Sequence, residues 1–77
     1  MKYTMKMIWD DETCRWHCES EDVPGFLLES NSFDGLIERI RIGLPDFLVE
    51  TGYSGDVHIR FETERMDSVK VAALQNG

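Results

Sequence analysis

The stretch Asp22-Val23-Pro24-Gly25-Phe26-Leu27-Leu28-Glu29-Ser30, with Ser32-Phe33-Asp34-Gly35-Leu36-Ile37 close behind, leaves this chain few ways to fold. A Pro-Gly pair stands between two short apolar runs, and a helix start follows within a few residues. Pro24 presets φ and Gly25 tolerates positive φ, so the backbone can bend sharply or reverse there. Ser32 is placed to cap a helix, because its hydroxyl can accept from a free backbone N–H in the first turn. Asp34 then falls in that turn, where the helix dipole favours an anion. The local order is strand, turn, strand, capped helix.

The spacing of apolar residues extends this reading in both directions. From Lys2 to Trp9 the chain alternates, with Tyr3, Met5, Met7 and Trp9 on one face and Lys2, Thr4, Lys6 and Ile8 on the other. That period of two predicts a half-buried strand. Asp10-Asp11-Glu12-Thr13 reads as a polar turn. Cys14 to Glu19 alternates again, with Cys14, Trp16 and Cys18 inward, so the two strands form a hairpin. Phe26 to Ser30 is a third, short strand. From Phe33 the period changes: Phe33, Leu36, Ile37, Ile40, Leu44, Phe47 and Leu48 fall on one helical face. Pro45 predicts a kink or break in that helix, and Gly52 its C-cap. Val57 to Thr63 is the clearest strand. Ser68 to Leu74 could extend it or pair as a further strand.

The resulting order is β-β-β-α-β, an α+β domain. A right-handed crossover through the helix returns the last strand parallel to the first and beside it, giving a sheet in the order 3-2-1-4. The helix covers one face. Ile8 and Leu27 are expected on the other, with Val23 a further candidate for it, and nothing in the chain covers that face. Residues 1–64 form the domain, and 65–77 a weakly structured tail or an extra strand.

Seventy-seven residues make a small domain, which buries only about 60% of the surface its unfolded chain exposes. Self-association is a common remedy for such marginal stability. No apolar run approaches the roughly 20 residues of a membrane span. No leader sequence is evident, and Cys14 and Cys18 lie too far apart along one strand face to bridge, which fits a reducing, cytoplasmic setting. The net charge of −7 is unevenly placed. Between Asp10 and Asp34 stand eight acids and one base, Arg15; elsewhere seven acids meet seven bases. That charge reads as a solvated acidic surface, or as a docking face for a basic partner. It disfavours phosphate backbones, which need clustered Lys and Arg.

The chemistry-bearing residues form no convincing centre. Cys14, His17 and Cys18 suggest metal ligands, but a strand points His17 away from both cysteines, and no second ligand pair completes a tetrahedral set. Asp10, Glu38 and Glu62 are the only carboxylates that could gather across strand, helix and last strand, and exposed surface acids are the commoner outcome. No serine has a histidine partner in evidence. No cofactor or metal is expected. Trp9 and Trp16 read as cross-strand packing, or as an interface anchor.

The ordered series of an opening strand, the acidic turn at Trp9-Asp10-Asp11-Glu12, Trp16 in the second strand, Asp22-Val23-Pro24-Gly25 and Ser32-Phe33-Asp34-Gly35-Leu36-Ile37-Glu38-Arg39 resembles the HicB-like antitoxin family, in particular its short members. The resemblance implies a truncated ribonuclease-H-like fold and a non-enzymatic protein that neutralises a small basic ribonuclease toxin. By charge, the partner-binding candidates are Asp10, Asp11, Glu12, Glu19, Glu21 and Asp22. Pro24, Gly25 and Ser32 are the structural turn and cap. Longer relatives carry a DNA-binding domain, for which the residues after Glu64 leave no room, so no direct nucleic-acid contact is expected. The alternative is a stand-alone homo-oligomeric module, a homodimer or larger, with a structural or regulatory role.

Overall fold

The computed structural model describes residues 2–73. Strand β1 (Lys2–Asp10), strand β2 (Arg15–Glu19), strand β3 (Leu28–Ser30), helix α1 (Phe33–Glu50) and strand β4 (His58–Glu64) follow in that order. They form one four-stranded sheet in the order β3-β2-β1-β4. The β1–β2 and β2–β3 pairs are antiparallel, and β4 returns parallel to β1 with Tyr3 beside Ile59 and Met5 beside Phe61. The expected element order and strand order both hold.

The core lies between the sheet and α1. Met5, Met7, Trp16 and Cys18 from the strands meet Leu36, Ile40, Leu44 and Leu48 from the helix, all buried. Phe33, Ile37 and Phe47 flank that stripe, while Ile42 and Val49 lie exposed outside it. Val23 is a correction: it is buried in this core, not placed on the open face. The Pro-Gly turn explains why. The Phe26 N–H donates to the Val23 carbonyl at 3.2 Å, and Gly25 has φ +86, the type II pattern with glycine third. The turn folds Val23 and Phe26 inward, and the Phe26 ring meets Phe47 edge to face at 5.4 Å. The chain regains the ladder only at Leu28, so β3 is shorter than expected.

Ser32 caps α1 as its sequence indicates: its Oγ accepts from the Gly35 N–H at 2.9 Å. Gly35 is required there for space, since a Cβ would lie 2.6 Å from Ser32 Oγ and 2.7 Å from Ser30 Oγ. Pro45 does not end the helix, which runs unbroken to Glu50. Pro45 is exposed, and buried Leu44 and Leu48 hold the flanking turn onto the sheet. The helix closes with Gly52 at φ +86 just past Thr51. The Tyr53 N–H reaches back to the Leu48 carbonyl and the Gly52 N–H to that of Val49, a Schellman closure.

Cys14 is also corrected. It is exposed in the turn between β1 and β2, at φ 54, with Sγ 3.7 Å from the Asp11 carbonyl. The β1–β2 register runs from Lys6 opposite Glu19 to Asp10 opposite Arg15. Residues 11–14 therefore make the turn, and Cys14 takes its left-handed position. Beyond Glu64, residues 65–73 form neither helix nor strand; the rest of the Ser68–Leu74 strand and of the 65–77 tail lies outside the described residues. Among the described residues, no helix is long and apolar enough to cross a membrane.

Candidate functional site

The six acidic candidates do not form one cluster. Asp10, Asp11 and Glu12 sit where β1 turns into β2. Glu19, Glu21 and Asp22 sit at the other end of the hairpin. Four residues of strand, roughly 13 Å, separate the Asp10 rung from the Lys6–Glu19 rung.

Three of the six have local duties. Asp10 Oδ1 accepts from the Glu12 N–H at 2.9 Å, and this bond holds its carboxyl below the ordinary 3.8. Asp11 Oδ1 accepts from the Trp9 indole N–H at 2.6 Å. Asp22 Oδ2 accepts from the Thr4 N–H at 2.8 Å, while the Ser20 hydroxyl donates to the Thr4 carbonyl at 2.6 Å. Strand β2 ends opposite Lys6, so Thr4 has no strand partner on that side. The Ser20 and Asp22 side chains take the place of the missing strand and satisfy its backbone. Glu12, Glu19 and Glu21 are exposed, and among the described residues their carboxylates make no hydrogen bond or ion pair.

The face of the sheet opposite α1 is charged. By alternation it presents Lys2, Thr4, Lys6, Ile8 and Asp10 from β1, Arg15, His17 and Glu19 from β2, Glu29 from β3, and His58, Arg60, Glu62 and Glu64 from β4. Lys6 Nζ lies 2.7 Å from Glu64 Oε2. That contact raises the lysine above its ordinary 10.5 and lowers the glutamate below 4.5. Arg60 Nε lies 3.4 Å from Glu62. Arg15 Nε lies 3.4 Å from Glu29 Oε1, close enough for charge attraction but without hydrogen-bond geometry.

At one end of this face a shallow groove of about 630 Å³ opens between Thr4, Lys6, Glu19, Ser20, Glu21, Asp22 and Glu62. Four carboxylates face one lysine there. Glu62 joins this group through the β1–β4 pairing that sets it beside Lys6. It lies forty residues from Asp22 in the chain, and only the polar alternation of β4 points to it in the sequence.

The other candidates separate. Cys18 is buried in the core, where desolvation pushes its thiol up, while His17 is on the opposite face and Cys14 in the exposed turn. Glu38 pairs with Arg41 on the helix at 3.0 Å, so it does not gather with Asp10 and Glu62. Among the described residues, no three His, Cys, Asp or Glu side chains come together to hold a metal ion. Trp9 and Trp16 stand opposite each other across the hairpin, edge to face at 5.4 Å, and Trp16 meets Phe33 at 5.0 Å. The Arg65 guanidinium lies over Trp9 at 4.4 Å.

A family model described as a domain of unknown function, DUF1902, matches residues 2–73. The chain belongs to this family. A crystal structure of a hypothetical protein from the extremely thermophilic bacterium Thermus thermophilus is similar to this DUF1902 chain, with a TM-score of 0.75 and 28% identity. The match covers 90% of the present chain and 100% of the other. No curated protein matches the chain. The DUF1902 match runs beyond β4 to residue 73.

Proposed function

We propose that this DUF1902 protein is a non-catalytic binding module that receives a small basic protein at the acid-lined end of its open sheet face. The observation that supports this reading is the groove bordered by Glu19, Glu21, Asp22 and Glu62 around the single Lys6. Complementary charge speeds encounter and fixes orientation more than it adds raw affinity, and a shallow, wet, acidic surface suits that role. The likeness to HicB antitoxins makes a small basic ribonuclease toxin the kind of partner to seek. Within the candidate set, Glu19 and Glu21 make the contact, and Asp22 holds the loop that carries them.

The test is to express the tagged chain with its flanking reading frames and measure affinity for the small basic protein that co-elutes. Glu19→Lys with Glu21→Lys should weaken binding at least about tenfold at low salt and slow association, leaving the fold intact. Unchanged affinity, or an eluate without a basic protein, would overturn the reading. A second reading is a self-associating module, favoured by the unpaired outer edge of β4 among the described residues.

A further inference from the structure

The unpaired edge of β4 carries a more definite arrangement. Strand β4 is the last in the sheet, paired to β1 on one side and, among the described residues, to nothing on the other. Open edges template further pairing unless proline, a bulge or an inward charge blunts them. The sequence His58-Ile59-Arg60-Phe61-Glu62-Thr63-Glu64 has no proline and no glycine, and its inward residues are uncharged. Helix α1 approaches β2 and β3 most closely, and on β4 Ile59 and Phe61 pack at the margin of the core and are only half-buried. The tail leaves β4 with its alternation intact: Arg65 lies over Trp9 on the helix side, as Ile59 and Phe61 do. Beyond it, Met66, Val69 and Val71 are 84–87% exposed, an unusual cost for apolar side chains in so short a segment.

We propose that β4 and the tail of one copy form a single long strand that pairs antiparallel with the same strand of a second copy, about a twofold axis at Met66. This deepens the self-association reading and rests on it. An axis at that residue is selected by charge. It sets Glu62 opposite Lys70 and Arg65 opposite Asp67, each pair occurring twice by symmetry. On the helix side it sets Phe61 opposite Val71, Thr63 opposite Val69 and Ile59 opposite Ala73. Moving the axis to Arg65 would place Arg65 against its own copy and Arg60 against Lys70. Moving it to Asp67 would oppose Asp67 to itself. Like charges directly opposite are unfavourable, and opposite charges and apolar pairs are favourable. The twofold is perpendicular to the sheet, so both helices lie on one side, each set back over its own β2 and β3. The partner's Val69 and Val71 cover the half-buried face of β4. Two four-stranded sheets become one of eight strands.

Sedimentation equilibrium on the full chain should show a dimer, and Val69→Asp with Val71→Asp should return it to monomer with an unchanged far-ultraviolet spectrum. Glu62→Lys and Lys70→Glu should each weaken the dimer several-fold, and the double variant should restore it. Register is read by cross-linking in a Cys14→Asn background. Met66→Cys places two cysteines opposite each other on the axis with Cα atoms about 5 Å apart, within the span a disulfide bridges. Val69→Cys places them about 20 Å apart. Rapid oxidation of the first and not the second supports the interface. A chain that stays monomeric at millimolar concentration overturns self-association altogether. A dimer that survives the aspartates, or that fails to cross-link at Met66→Cys, overturns this interface and leaves self-association standing.

Discussion

The two edges of the sheet are finished in different ways. At the β3 edge the strand has only three residues, Leu28–Ser30, and the chain covers it at once with its own helix. Ser30 is buried there under Gly35, and the Pro-Gly turn buries Val23 and Phe26, the latter against Phe47. At the β4 edge a seven-residue strand stands without an outer neighbour among the described residues, and its inner face is only half-covered. One helix of this length cannot span four strands of a twisted sheet. Where it sits, the core is closed to solvent; where it does not, apolar residues remain half-buried. Most of the fold's own stability therefore belongs to the first region, and the half-buried apolar surface to the second.

The sharpest way to break this comparison is to cut equivalent side chains on the two sides. Ile40 is fully buried between helix and sheet, and Ile59 is half-buried on β4. Ile40→Ala should cost about 2–5 kcal/mol, enough to unfold much of so small a domain. Ile59→Ala should cost about 1 kcal/mol in the monomer. Urea unfolding of both variants at low protein concentration reads the difference, and equal losses would contradict the account.

Much of the covered region was legible because its signals are local. The cap at Ser32, the first-turn Asp34, the apolar stripe from Phe33 to Leu48 and the alternation of β1 each rest on residues within a turn or a strand of one another. The parallel return of β4 followed from handedness. What escaped was set by contacts between distant residues. Val23 looked like an open-face residue until the type II turn rotated it under the helix. Pro45 predicts a kink or break; the helix does not break there, since the packing of Leu44 and Leu48 outweighs one lost helical bond. Cys14 fitted the strand alternation, yet the Asp10–Arg15 register assigns it to the turn. The acidic candidates are close in sequence, which suggests one patch. An antiparallel hairpin carries such neighbours to opposite ends, and the parallel β1–β4 pairing sets Glu62, forty residues away from Asp22 in the chain, beside Lys6.

A smaller effect sharpens the picture of the open face. Glu64 is held below its ordinary 4.5 by the Lys6 ammonium, and Asp10 below 3.8 chiefly by the Glu12 N–H. A carboxyl depressed on folding contributes stability that is present above its unfolded value and is lost as pH falls through its folded one. Stability should therefore decline on acidification below about pH 4.5, only slightly for these solvated groups, and less in high salt. The Glu64 carboxyl titration followed by NMR should move up toward 4.5 in Lys6→Ala. A midpoint unmoved by that substitution would remove the Lys6–Glu64 pair from the account.

The central claim is that the open edge of β4 and the tail beyond it are completed by a second copy. Amide hydrogen exchange measured at two protein concentrations tests it most directly. Amides from Arg65 to Ala73 should exchange at near-unstructured rates at low micromolar concentration and gain protection at several hundred micromolar, while those of β1 and β2 stay protected in both. Unprotected exchange through residues 65–73 at every concentration would contradict it.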